Sequence, residues 1–303
     1  MLKHHTLLLT LVALLFSATG WSQQLSDKAF NPVIENPQYK KGQGPILLLD
    51  EAHSNFHTLD GRFSTFAHVL EKDGYVVKAS IEPFSSEQLG KGKILVVANA
   101  LNASNLENWS LPTPPAFTDT EIEAVNGWVK EGGSLFLIAD HMPFPGAAES
   151  LAASFGFKFY NGFAMKKGGN KAIFSPGNGL IENVITKGRD EKETVTSVQT
   201  FTGQAFEIPK DATPIVVLDS KYELKMPQTA WQFEKDTPTI SADNLVQGAY
   251  MNYGEGRIVL FGEAAMFTAQ LQGSHKVGMN QKSAFQNIQF LLNIIHWLDG
   301  KLD

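Results

Sequence analysis

Residues 46–62 read ILLLDEAHSNFHTLDGR. Four apolar residues run into Asp50 and Glu51, and His53, Asn55, His57 and Arg62 follow before the next apolar segment. An unbroken apolar run of this length is the pattern of a strand buried on both faces, as in a parallel sheet. The chain repeats the pattern at residues 94–98 (ILVVA, then Asn99), 134–139 (SLFLIA, then Asp140-His141) and 257–261 (RIVLF, then Gly262-Glu263).

Helical signals separate these runs. Phe63, Phe66, Ala67 and Leu70 recur at helical spacing within residues 61–73, with Gly74 as the stop. Residues 75–79 read as a second strand. Thr118 and Glu121 form a capping-box pattern ahead of Ile122, Val125 and Val129. Residues 146–155 predict a small helix, and Phe285, Ile288, Leu291, Leu292, Ile295 and Leu298 a closing helix capped by Asn280 or Ser283. Buried strands alternating with amphipathic helices imply an α/β fold, a mainly parallel sheet with helices on both faces. Between residues 157 and 251 the alternation breaks into strand-like pieces separated by Gly, Pro and Asn, which reads as a β-rich insertion or an extension of the sheet.

The chain has 303 residues, 43% of them hydrophobic, with a formal charge of −6 and no basic stripe. Nucleic acid is therefore not the expected partner, nor is an anionic membrane surface. Lys3, the apolar run at residues 7–16 and the small residues at 17–22 have the order of a secretory signal, cleaved after Ser22 or Gly20 with Ser22 preferred. The expected organisation is a signal peptide (1–22), an extended arm (23–44) and a single α/β domain (45–303). The expected location is periplasmic or secreted, with no membrane span left after signal removal. With no cysteine at all, disulfides, thiolate metal sites and a cysteine nucleophile are excluded.

In open parallel sheets ligands bind beyond the carboxyl ends of the strands. That rule gathers Asp50, Glu51, His53, His57, Asp140, His141 and Glu263 as candidate catalytic residues, with Asn55, Arg62 and Asn99 as candidate ligand contacts. Three of the eight histidines fall in this set. His53, His57, Asp140 and His141 are candidates for a divalent metal, which would lower the pKa of a bound water. The alternative needs no metal: a carboxylate paired with a histidine, Asp140 with His53 or Glu263 with His141, acting as general acid and base. Arg62 could take a substrate anion, or pair with Asp60 or Glu51. The turn before Gly146, rich in proline, could present N–H groups to an anion. Neither a Walker spacing nor a G-x-G-x-x-G after the first strand is present, so no nucleotide is expected.

Three stretches carry a family resemblance: DEAHSNFHTLDGRF, LIADHMPFPGAAESLAASFGF, and GEAAMFTAQ followed by GMN and NIQFLLNIIHWL. They resemble a family of exported bacterial proteins placed among the class I glutamine amidotransferase-like domains. The resemblance implies a flavodoxin-like α/β sandwich over residues 45–298 but carries no assigned reaction. True amidotransferases act through a cysteine at the turn after a strand; here that turn offers Asp140, His141 and Met142, so a cysteine-dependent glutaminase is excluded. The readings left are a hydrolase-like enzyme at the strand-end cluster, a binding module for a small polar ligand such as a glycan or envelope fragment using Trp109 as a stacking surface, and a protein-interaction domain.

Overall fold

The computed structural model describes residues 24–169 and 172–303; the predicted signal peptide lies outside them. In chain order the central elements are β1 (Ile46–Asp50), α1 (Ser64–Lys72), β2 (Val76–Ser80), β3 (Ile94–Ala98), α2 (Asp119–Lys130), β4 (Ser134–Ile138) and α3 (Phe144–Ser154). They are followed by β5 (Phe163–Lys166), β6 (Thr213–Val217), β7 (Tyr222–Lys225), β8 (Thr239–Ser241), β9 (Val246–Tyr253), β10 (Gly256–Phe261) and α4 (Asn287–Leu298).

Five strands pair in parallel in the order β2-β1-β3-β4-β10. The sheet then continues through antiparallel β9 and β6 toward Ala172–Pro176 and Val198–Thr200, so the architecture is mixed α/β around one large mixed sheet. The inner strands β1, β3, β4 and β10 are mainly apolar because both their faces are covered, while the edge strand β2 exposes Lys78 and Ala79. Leu47, Leu49, Val96, Ala98, Phe136 and Ile138 join the side chains of α1 and α4 in one cluster, while Leu48, Leu95, Val97, Leu135 and Leu137 join those of α2 and α3 in another. Each fully buried Leu, Val, Ile or Phe among them contributes about 1.5–3 kcal/mol.

Residues 157–251 divide their work. One part extends the main sheet, and β5, β7 and β8 form a separate antiparallel sheet of three strands. That small sheet leads into residues 227–233, which return to the strand ends: Leu111 N–H donates to Gln228 O at 2.9 Å and Ala230 N–H to Trp109 O at 2.8 Å. The loop at residues 102–117, which carries Pro112, Pro114 and Pro115, and the β-rich segment therefore build one wall together.

The arm is packed rather than free, since Leu25–Ser26 pairs with Ala269–Gln272. Gly74, expected as the stop of α1, has φ +97, and a Cβ there would lie 2.3 Å from Tyr39 O, so arm and helix end meet where only glycine fits. Two expectations about α4 are corrected. Neither Asn280 nor Ser283 caps it, because a 3₁₀ turn (Lys282–Ala284) intervenes and Asn280 instead donates to Asp27 and Gln270. Phe285 precedes the helix and is 66% exposed, outside the apolar face.

Candidate functional site at the carboxyl ends of the parallel strands

The parallel pairing brings the ends of β1, β3, β4 and β10 to one edge, as the strand-end rule requires. The residues gathered there sort into a clamp, a carboxylate pair and a wall.

His53 belongs to the clamp. Its Nδ1 lies 2.8 Å from Asp50 Oδ1 and its Nε2 2.8 Å from Glu121 Oε1, so both ring nitrogens donate to carboxylates. Burial disfavours the charged ring, but the hydrogen bonds and charges of Asp50 and Glu121 outweigh it and raise the His53 pKa. Glu121 is held in turn by its capping box. Oε2 accepts from Thr118 N at 2.9 Å and from Thr118 Oγ1 at 2.7 Å, which leaves Oε1 for His53 and Phe84 N. Burial works against the Glu121 charge, but the Thr118 N–H and His53 lower its pKa overall. Asn55 completes the clamp, its Nδ2 donating to Asp50 Oδ2 at 2.9 Å and its Oδ1 accepting from His53 N at 3.0 Å. Glu51 accepts from Leu59 N at 2.7 Å and shapes the turn.

This clamp has a signed pH dependence. A histidine whose folded pKa is raised stabilises the fold fully below its unfolded value, near 6.5, and loses that contribution as pH rises through the folded value. The destabilisation caused by His53→Gln should therefore be largest at about pH 5–6 and shrink on the alkaline side. Urea melts of both proteins across pH measure this, and a cost independent of pH would contradict the charged clamp.

Asp140 and Glu263 form the carboxylate pair. Asp140 accepts from His141 N at 2.8 Å, and Glu263 accepts from Ala265 N at 2.9 Å and Met266 N at 2.8 Å. Burial raises the Asp140 pKa against the lowering effect of His141. Burial, and then the neighbouring charge of Asp140, push Glu263 well above the usual carboxylate range. Keeping Glu263 protonated spares one negative charge in this buried place. The expected pairings of Asp140 with His53 and of Glu263 with His141 are not formed: Asp50 and Glu121 already take His53, and main-chain N–H groups take Glu263.

The wall is built by His57, Asn99, His141 and Arg62. Asn99 Oδ1 accepts from Asp140 N at 2.8 Å, which turns its Nδ2 toward His57 Nδ1 at 3.2 Å. An amide N–H donates, so His57 Nδ1 must be bare and its proton sits on Nε2. Burial, followed by the charges of Arg62 and His141, lowers the His57 pKa to about 3, and the ring stays a neutral donor. His141 has the opposite tautomer. Its Nδ1 lies 2.7 Å from Met142 O, a pure acceptor, so Nδ1 carries the proton and Nε2 offers a lone pair.

Arg62 pairs with neither Asp60 nor Glu51. Its guanidinium lies 4.0 Å over the Phe56 ring, its Nε is buried without a hydrogen-bond partner, and burial lowers its pKa. Aromatic rings line the rest. His141 stacks on Phe163 at 4.6 Å and meets Trp231 at 4.7 Å, with Trp109 at 6.0 Å. Trp231 is 41% exposed beside this histidine.

Two sequence expectations change here. Among the described residues, no group of three or more His, Asp or Glu side chains is placed to hold a metal ion. Of the candidate set His53, His57, Asp140 and His141, His53 is withdrawn because both its ring nitrogens face carboxylates. The start of α3 offers no free N–H either: Gly146 N donates to Asn161 Oδ1, Ala147 N to Pro143 O and Phe144 N to His141 O. Sequence reasoning also missed Glu121, Phe56, Phe163 and Trp231. The Thr118–Glu121 box was legible, but its second partner was not.

No family model and no curated protein matches the chain. Among solved structures, the mmIFT52 N-terminal domain aligns with a TM-score of 0.60 at 14% identity, over 84% of this chain and 97% of that one. A cytoplasmic protein from Salmonella typhimurium LT2 aligns with a TM-score of 0.50 at 14% identity, over 84% and 98%. A ThuA-like protein from Bacteroides uniformis gives a TM-score of 0.47 at 12% identity, over 88% and 94%. At such identities the likeness is one of fold. Among the described residues no helix is long and apolar enough to cross a membrane.

Proposed function

We propose that this chain is an exported, flavodoxin-like domain of the class I glutamine amidotransferase-like type, and that its strand-end edge binds and hydrolyses a small ester carrying an anionic group. The parallel strand order 2-1-3-4-5 supports the flavodoxin-like assignment. The signal-like pattern of residues 1–22 supports a periplasmic or secreted location.

The observation that carries the functional reading is Arg62, a part-buried guanidinium with no carboxylate partner, whose charge, like that of His141, acts on His57, the two histidines having opposite tautomers. An uncompensated cation in such a place is complementary to a ligand anion. In the proposed reaction His141 Nε2 takes a proton from water as the water oxygen bonds to the ester carbon. His57 Nε2–H stabilises the oxyanion that forms, and protonated His141 then returns the proton to the departing alkoxide. Asp140 and Asn99 position His141 and His57.

A second reading, a binding module without turnover, is favoured by the exposed Trp231 face, which suits the flat side of a sugar ring. Turnover of mono-p-nitrophenyl succinate and of neutral p-nitrophenyl acetate separates the two. The hydrolase reading expects a preference for the anionic ester and a loss of about 100-fold or more in kcat for His141→Ala. Saturable succinate binding without turnover would leave the binding module, and neither turnover nor binding would remove both.

A further inference from the structure

A cleft of about 290 Å³ opens beside the site, lined by Gln199, Thr200, Phe201, Tyr222, Gln247 and Gln281 among others. It adjoins the carboxylate pair, because the Phe201 N–H donates to Glu263. None of the residues already assigned to the anion site lines it.

Two of its glutamines are held in a way that leaves acceptors stranded. Gln199 and Gln247 are 1% and 3% exposed. Gln247 Nε2 donates to the main-chain carbonyl of Gln204 at 3.2 Å, which fixes the amide and directs Oε1 away from that partner. Gln281 Nε2 donates to Lys276 O at 3.1 Å, so Gln281 Oε1 faces Gln199, and Gln199 Nε2 must be the group that donates to it. Main-chain carbonyls thus set both chains of contacts, and amide flips cannot relieve them. Gln199 Oε1 and Gln247 Oε1 are left buried with no donor.

Buried acceptors are nearly always satisfied, so two unsatisfied ones on one cleft call for a ligand that brings donors. Among the described residues the lining contains no carboxylate, and its one charged side chain is Lys166, so a cationic ligand has nothing to pair with, while an anion brings no donor for the two stranded oxygens. It does contain the hydroxyls of Thr200 and Thr202 and the rings of Phe201 and Tyr222. Hydroxyls that donate and accept, together with apolar ring faces, match the two-sided surface of a sugar. We propose that this cleft is a second binding site, for a neutral saccharide unit whose hydroxyls donate to Gln199 Oε1 and Gln247 Oε1. It is independent of the hydrolase reading.

The test uses the full mature chain with N-acetylglucosamine, cellobiose and maltose as separate probes at millimolar concentration, followed by thermal shift and by the side-chain amide signals of the glutamines in NMR spectra. At least one probe should raise the melting temperature and move the Gln199 and Gln247 amide signals. Gln199→Met and Gln247→Met, which keep length and remove the stranded oxygen together with the amide donation to Gln281 Oε1 or Gln204 O, should each abolish the probe-induced shift. Arg62→Met should retain that shift, which separates failure of this site from failure of the anion site. The proposal is overturned if none of the three probes moves the wild-type amide signals, a result that needs no variant to fold, or if the Met variants keep the full shift.

Discussion

Asp73→Ala should cost about 3–5 kcal/mol of folding stability, the largest effect expected of a single substitution away from the site. Asp73 and His296 are both fully buried, with Nε2 and Oδ2 at 2.7 Å. The other oxygen of Asp73 accepts from Gln38 N at 2.7 Å, and its main-chain O accepts from Tyr39 N at 3.0 Å. One carboxylate therefore joins the end of α1, the arm and α4. Removing it strands an imidazole among apolar side chains and leaves the Gln38 N–H without its partner. The double variant Asp73→Ala/His296→Leu should recover part of the loss, because the stranded ring is gone. Urea melts of the two single variants and the double variant measure the coupling. A loss below about 1 kcal/mol, the range of an exposed pair, would show that the pair is not the tie described here.

Arg62→Met should move stability and function in opposite directions. The guanidinium has no ion pair to lose, and its Nε is buried without an acceptor. A methionine keeps contact with Phe56 and removes the desolvated charge, so stability should hold or rise by about 1 kcal/mol. The preference for the anionic ester should fall about 10- to 100-fold, the worth of a charged hydrogen bond of about 1.5–3 kcal/mol. Arg62→Lys should restore only part of it, since an ammonium cannot reproduce the planar fork. A variant that loses more than about 2 kcal/mol of stability would instead mark Arg62 as structural.

The sheet was legible because burial on both faces writes itself into a strand as an unbroken apolar run. Residues 46–50, 94–98 and 134–138 fall within the strands they predicted, and the polar residues after them meet at one edge. The partners within that edge were less legible, because they depend on loops whose path carries no period. His53 and His57 look alike in sequence, four residues apart, yet one is clamped between Asp50 and Glu121 and the other accepts from Asn99. Asn99 does this from φ 50°, a conformation that asparagine tolerates better than most residues and that an apolar-run reading cannot foresee. Trp231 and Phe163 were hidden for another reason. They come from the β-rich segment, whose short antiparallel strands give weak alternation, and they reach His141 only through the pairing of β5 with β7 and the return of residues 227–233.

The most direct test of the central claim is the protonation of the two wall histidines, read from long-range ¹H–¹⁵N spectra of the imidazoles across pH with and without succinate. His57 should appear as a single Nε2–H tautomer that resists protonation until the pH approaches about 3, and His141 should carry its proton on Nδ1. Succinate should shift the signals of both in the wild-type protein and of neither in Arg62→Met. A His57 that titrates near the ordinary histidine value of about 6.5, or succinate that leaves both rings unmoved, would contradict an anion site built from Arg62, His57 and His141.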